Sequence, residues 1–354
     1  MSEIKVAFWN LQNLFDTTAS PIAADLEFTP EQGWTPEVFD VKVAHLAQVI
    51  RQMHGGNGPD LLGLCEVENK GVVERLLAEI GRPELRVAHV ESPDIRGIDC
   101  SLVYSSDRFD DPTPEDMQGH LVHFRYPTRD IFQVRLTLKG GGPELNVLVN
   151  HWPSRGAGQY ETEPYRLSVA TRCGQLVDQL LKVDRQAYEQ FPDSAEGLAQ
   201  LNARWNRNVL LMGDFNEDPF CRSLTDYLLA AKDLDKVEEV LKAGSGRITP
   251  AIDSYLGREA VLFNLSWALL GEPDTGSIFY SSGAANTMNL FDQFIVTRGL
   301  YFGTSGLKAR EGSMRIFRAP EMTSGPKRRP RAFDRRTQKG ASDHFPIELT
   351  IDVL

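Results

Sequence analysis

The stretch Val209-Leu210-Leu211-Met212-Gly213-Asp214-Phe215-Asn216-Glu217-Asp218-Pro219 decides how this chain is read. Four apolar residues, enough for a buried strand, run into a glycine, and acidic and amide side chains follow where the strand leaves its sheet. Gly213 lets the backbone turn or be approached closely. Asp214 and Asn216, two apart, point the same way if the strand continues, so that one could take a proton while the other holds an attacking water. Asp and Asn at a strand exit also form turns. What singles out this pair is that the same arrangement recurs along the chain.

Ile4 to Trp9 is apolar apart from Lys5 and ends in Asn10, with Gln12, Asn13 and Asp16 just beyond, an amide-rich exit suited to a metal or a phosphate. Asp60-Leu61-Leu62-Gly63-Leu64-Cys65-Glu66 is a second such strand. Glu66 follows five nonpolar residues, and a carboxylate there must be paired, protonated or bound to a metal. No Lys or Arg intervenes before Lys70, which favours a divalent cation over a structural hydrogen bond. Gly140-Gly141-Gly142-Pro143 turns the alternating run at 131–136 back into Leu145–Val149, and that strand ends in Asn150-His151-Trp152-Pro153-Ser154-Arg155-Gly156. His151 shares its loop with Ser154 and Arg155, which donate to anionic oxygens, and Arg155 beside Gly156 and Gly158 suits a flexible phosphate clamp. Arg96 and Arg129 are further candidate phosphate contacts.

Two later stretches reverse the order. In Asn289-Leu290-Phe291-Asp292-Gln293-Phe294-Ile295-Val296 and in Ala341-Ser342-Asp343-His344-Phe345-Pro346-Ile347 the polar groups come first and the strand follows. Antiparallel neighbours put strand starts beside strand ends. Asn10, Glu66, His151, Asp214 and Asn216 at exits, with Asp292, Asp343 and His344 at entries, can therefore meet at one edge.

Between these elements, Thr35 and Pro36 cap a helix carrying Leu46, Val49, Ile50 and Met53, which Gly55-Gly56-Asn57-Gly58-Pro59 ends. Helices are also predicted over 72–80, 165–182 and 224–231. Residues 190–206 read as a polar connector, and 243–288 takes no clear pattern. Residues 327–339 hold seven basic residues, Lys327, Arg328, Arg329, Arg331, Arg335, Arg336 and Lys339, against Asp334. That run is either a solvated loop or an anion guide before Ser342-Asp343-His344.

Composition sets the outer limits. Over 354 residues, 41% hydrophobic and 25% charged content is ordinary for a globular chain able to bury a sizeable core. The net charge of −11 argues against bulk attraction to nucleic acid, but leaves room for a local basic patch or a bound cation. Cys65, Cys100, Cys173 and Cys221 form no Cys-x-x-Cys pair, so zinc and thioredoxin-like motifs have no support, and buried free thiols are expected. The N-terminus lacks an apolar signal core, and no run of about 18 apolar residues occurs. A cytoplasmic protein without membrane insertion is expected; the sequence carries no sign of oligomeric state.

The ordered blocks Trp9-Asn10, Glu66-Val67-Glu68-Asn69, Asn150-His151-Trp152-Pro153-Ser154, Gly213-Asp214-Phe215-Asn216, Phe291-Asp292-Gln293 and Ser342-Asp343-His344 resemble the endonuclease/exonuclease/phosphatase superfamily over nearly the whole chain. The resemblance implies an α/β fold in one domain, residues 1–354: a four-layer sandwich of two mostly antiparallel sheets face to face, helices outside and the site at one edge. It implies Mg²⁺ or Mn²⁺ held through Glu66, Asp343 and Asn10. Asp214 would activate water, Asn216 position it, and His344 paired with Asp292 contact the phosphate, with His151 facing the scissile group. Asn10, Arg129, Ser154, Arg155 and Asn289 stand as phosphate contacts. Gln12 and His151 depart from the abasic-site nucleases, which usually have Asp and Tyr there. His151 instead looks like the deoxyribonuclease, sphingomyelinase and phosphatase branches, and the first and third blocks are similar to bacterial nuclease-like members. A nuclease with nucleic acid as substrate is expected first, a hydrolase of a small or lipid-linked phosphate ester second, and a catalytically inactive binding module third.

Overall fold

The computed structural model of the protein describes residues 2–19, 25–125, 128–272, 275–282, 285–325 and 328–354, so Lys327 of the basic run lies outside the described residues. The apolar runs of the sequence, such as Leu61 to Cys65 and Val209 to Met212, become strands, and alternation along a strand sends side chains to opposite faces. In Ser2–Leu14, Val6 and Phe8 join one buried cluster while Ala7 and Trp9 join another. A one-residue slip would exchange the two sets, and each fully buried Val or Phe is worth about 1.5–3 kcal/mol, so the register is firmly specified.

Two seven-stranded sheets result. The first runs Leu307–Ala309, Ile347–Val353, Ser2–Leu14, Leu61–Val67, Asp99–Ser105, Leu85–His89, with Arg315–Ile316 also on the Ile347 strand. The second runs Met117–His120, Ile131–Thr137, Glu144–His151, Val209–Asp214, Asp292–Val296, Leu262–Asn264, Ala230–Ala231. Pairing is mostly antiparallel. Ser2–Leu14 lies parallel to Leu61–Val67, and Glu144–His151 parallel to Val209–Asp214. Those parallel pairs place two exits side by side.

The inner faces pack on each other, Val6, Phe8 and Leu102 meeting Val134, Val147, Met212 and Phe294. Gly63 lets the sheets approach there: a Cβ would lie 2.4 Å from Met212 Sδ and force that side chain to move. Helices Pro36–Gly56 and Lys70–Ile80 cover the outer face of the first sheet, and Gln159–Leu181 and Ala195–Trp205 that of the second. The fold is thus an α/β sandwich of four layers. Thr35 Oγ1 accepts from Val38 N at 3.4 Å as the expected cap, and the helix breaks at Met53–Gly55. Cys65, Cys100 and Cys173 are free and buried, while Cys221 is half-buried. Among the described residues no helix is long and apolar enough to cross a membrane.

Three expectations need correction. The connector at 190–206 contains the helix Ala195–Trp205, capped by Ser194, whose buried stripe is only Gly197, Leu201 and Trp205. Such a narrow stripe on a polar helix escapes a hydrophobic-period reading. The helix expected over 224–231 is a π-helical turn, Ser223–Tyr227, broken by left-handed Leu229 before Ala230–Ala231 joins the second sheet. The helix expected over 165–182 starts earlier, at Gln159. The unassigned region carries Ile252–Leu256, Leu262–Asn264 and the hairpin Ile278–Ser282 with Ala285–Asn289.

Candidate active site

Register alone places three of the expected residues in a row: His151 pairs with Asp214 on one side, and Asp292 pairs with Asp214 on the other. Gly213 serves close approach, not turning, since a Cβ would lie 2.3 Å from Asn150 O. From the first sheet, Asn10, the last residue before its strand shifts register, turns its side-chain amide to Asp214, and Ser342 Oγ donates to Asn10 O at 2.6 Å, bringing Asp343 and His344 alongside.

Asp214, 2% exposed, is the hub. Its Oδ1 accepts from Asn216 N at 2.9 Å, its Oδ2 accepts from Asn10 Nδ2 at 3.2 Å, and the Nε2 atoms of His151 and His344 each lie 3.7 Å from Oδ2. Asn10 Nδ2 also reaches Glu66 Oε1 at 3.3 Å, and His151 Nε2 lies 3.6 Å from that oxygen. His344 Nδ1 sits 2.8 Å from Asp292 Oδ2. Asn216 donates its amide to Trp152 O at 3.0 Å, which fixes the plane of the side chain.

Charge divides the two imidazoles. Burial works against a charge on His344, yet the carboxylates of Asp292 and Asp214 outweigh it and hold the imidazolium well above its usual range. Burial, then Arg129 and Arg96, push His151 well below the usual range. Arg129 Nη2 lies 3.2 Å from His151 Nε2, which makes Nε2 the acceptor and puts the ring proton on Nδ1. Burial pushes Asp214 up to about 7, resisted by His344 and aided by Asp292. One cationic and one neutral imidazole thus flank a carboxylate of raised pKa, a division suited to acid–base work on an anionic substrate.

The backbone is strained around this group. Of the eight left-handed non-glycine residues among those described, four are Gln12, Asn13, Glu66 and Asn216. Each costs roughly 1–3 kcal/mol and persists only where contacts over-determine it. Here Gln12 N donates to Asn10 Oδ1, and Asn13 N donates to Glu66 Oε2, both at 2.9 Å. Glu66 therefore has the structural partner that the sequence did not reveal, contributed by a backbone amide 53 positions away. Both its strand pairings shift register at this point.

The structure corrects part of the phosphate-contact set. Arg155 is buried, donating from Nε to Asn216 O at 2.8 Å and from Nη2 to Glu217 Oε2 at 2.5 Å, with its guanidinium over the Phe291 ring. It is a brace, not a flexible clamp. Arg166, fully buried, binds the same Glu217 at 2.5 Å. Replacing Arg155 by Met is expected to cost about 3 kcal/mol, the lower end for breaking a buried pair, since Arg166 remains. Urea unfolding measures it; a clamp would instead show as a raised KM at unchanged stability. Asn289 donates to Asp218 Oδ2 at 2.8 Å and anchors the loop before Asp292. Ser154 is exposed, its Oγ 3.5 Å from Gly156 N. Arg129 does face the site, through His151, with Asp94 3.6 Å behind it. Arg96 donates to Asn13 Oδ1 at 3.0 Å. In the basic run, Arg335 donates to the carbonyls of Glu27 and Gln32 and Arg329 lies over the Phe279 ring, while Arg328, Arg336 and Lys339 are exposed.

Glu66 and Asp343 are the candidate cation ligands. Burial raises the Asp343 pKa and the charge of Glu66 adds to it, so two half-buried carboxylates repel each other in a setting of oxygen donors. A hard divalent cation fits such a donor set. A second group, His89, Glu91 and Asp99, brings its ligand atoms within 4.8 Å of one another. His89 Nε2 lies 3.0 Å from Glu91 Oε1 and 3.4 Å from Asp99 Oδ2, so these groups already satisfy each other as ion pairs. Sequence reading missed it, and also missed Lys42, buried in the Val38–Lys42–Leu46 stripe of the first helix. A cation in an apolar stripe was the available signal. Burial pushes Lys42 down to about 7, against the pull of Glu66 and Asp343.

Residues 5–189 match the Endonuclease/Exonuclease/phosphatase family, and the chain belongs to that family. Its members are phosphoester hydrolases, nucleases and phosphatases among them. Asp214, Asp292 and His344 lie beyond the matched residues, where fold comparison continues. An endonuclease/exonuclease/phosphatase family protein of Bacteroides thetaiotaomicron superposes with a TM-score of 0.54 at 13% identity, covering 99% of this chain and 98% of that one. A mannosyl-6-phosphatase of the same organism gives 0.54 at 14% identity, with 99% of each chain covered. The catalytic domain of human Nocturnin, solved with a bound sulfate anion, gives 0.52 at 13%, covering 99% and 95%. At these identities they share the fold. No curated protein matches the chain.

Proposed function

We propose that this protein is a divalent-metal-dependent phosphodiesterase, a nuclease hydrolysing DNA or RNA by direct attack of water, built as one domain around the shared inner core. The observation that carries this is the position of Asp214 Oδ2, 3.2 Å from Asn10 Nδ2 and 3.7 Å from Nε2 of both imidazoles. Asp214 takes the proton of a water that Asn216 orients, so no covalent nucleophile is needed. His344, kept cationic by Asp292, contacts a nonbridging phosphate oxygen. His151, neutral and backed by Arg129, faces the scissile group from the Glu66 side. Glu66, Asp343 and Asn10 would hold Mg²⁺ or Mn²⁺, which when bound neutralises charge growing on phosphate oxygens.

Nucleic acid is favoured by open rings beside the loops. Tyr160, 79% exposed, follows the His151 loop, and Phe220, 59% exposed, follows the Asp214 loop, where bases can stack. A small phosphate ester is the second reading, favoured by the net charge of −11 and by the commitment of Arg329 and Arg335 to ring and carbonyl partners. Activity on oligonucleotides, bis-p-nitrophenyl phosphate and inositol phosphates, with Mg²⁺ or Mn²⁺ and with EDTA, separates them. Oligonucleotide cleavage that EDTA stops is the expected result. Turnover of the inositol phosphates alone would establish the second reading, and metal binding without turnover on any ester would leave a binding module.

A further inference from the structure

We propose that Lys42 is a positioning residue that holds the left-handed bulge at Gln12 and Asn13, and through it sets Asn10 and Glu66 for cation and phosphate. This role depends on Glu66 and Asn10 acting as proposed above.

The bulge has lost its sheet partners. Pairing of Ser2–Leu14 with Leu61–Val67 shifts register between Asn10 and Leu14, so Gln12 and Asn13, at φ 54° and 57°, leave the ladder. Their amides are satisfied by Asn10 Oδ1 and Glu66 Oε2. Their carbonyls need donors too. Lys42 Nζ supplies them, donating to Gln12 O and, at 3.3 Å, to Asn13 O. Few side chains could do so from that depth: Lys42 is 2% exposed, on a helix 29 or 30 positions away in sequence.

An ammonium that far from water needs compensation. Besides the two carbonyls, the rings of Trp34 and Phe333 lie 5.7 and 5.5 Å from Nζ. Phe333 is tied to the same bulge, its backbone N donating to Gln12 Oε1 at 2.8 Å. One cation thus joins the first helix, the Asn10 exit and the segment leading to Asp343. The backbone amides that bind Asn10 Oδ1 and Glu66 Oε2 belong to the two residues whose carbonyls Lys42 grips.

Charge and positioning predict opposite signs. A positive group near Glu66 and Asp343 weakens divalent-cation binding by repulsion, so loss of charge alone would tighten it. Loss of positioning would loosen it. Calorimetric titration of Mn²⁺ into the full chain, without substrate, reads the sign directly. For Lys42→Met we expect a Kd raised about tenfold or more, as when outer partners of metal ligands are removed, with faster hydrogen exchange at the Asn13 amide. An equal or lower Kd with unchanged exchange would overturn the positioning role. Should that variant not fold, Lys42→Gln, which removes the charge and shortens the reach to the carbonyls, is read by the same two measurements: a raised Kd with faster exchange at the Asn13 amide supports the role, and an equal or lower Kd with unchanged exchange overturns it. Failure of the wild-type protein to bind Mn²⁺ would instead sink the metal assignment, and the exchange measurement would still judge Lys42.

Discussion

Asp214→Asn is expected to lower turnover of phosphoester substrate by about three orders of magnitude while the protein still folds, since a positioned general base contributes roughly 10²–10⁴-fold. Asn keeps the shape, and its carbonyl can still accept from Asn216 N, as Asp214 Oδ1 does. The amide would then replace the oxygen that accepts from Asn10 Nδ2, setting donor against donor at a cost of about 1–3 kcal/mol. Burial already disfavours the Asp214 carboxylate, pushing it up to about 7, and removing that charge offsets part of the loss. Steady-state kinetics beside urea unfolding checks both halves. Turnover within tenfold of the wild type would remove Asp214 from the role of base.

Glu66→Gln is the second large effect. Gln retains an oxygen for Asn13 N, so the bulge should keep its form, but the negative charge that a hard cation requires is lost. Removing partners that merely orient ligands costs about 10–100-fold in metal affinity, and removal of a charged ligand should exceed about a hundredfold. Mn²⁺ titration without substrate measures this apart from turnover. Unchanged affinity would mean that Glu66 serves only as the acceptor for Asn13 and Asn10.

The strands and their polar ends were legible because the signal is local. An apolar run that stops at an amide or acid marks a strand and its exit, and direction follows from whether polar groups come before or after. That sufficed to bring Asn10, His151, Asp214, Asp292 and His344 to one edge. What was not legible depends on partners far off in sequence. Arg155 beside two glycines reads as a mobile clamp until Glu217, 62 positions on, is seen to bind it. Glu66 reads as unpaired because its partners are a backbone amide, which leaves no mark in composition, and an Asn side chain 56 positions away. The helix Ala195–Trp205 hides because its buried stripe includes a glycine. Lys42 interrupts an apolar stripe but was passed over, and its purpose lies in two carbonyls freed by a bulge that only the fold creates.

The convergence of acids, amides and histidines on one cation is tested most directly by diffraction from crystals soaked in Mn²⁺, read at the manganese absorption edge. The anomalous peak is expected between the carboxylates of Glu66 and Asp343, within reach of Asn10. A peak confined to His89, Glu91 and Asp99, with none beside Glu66, would contradict it.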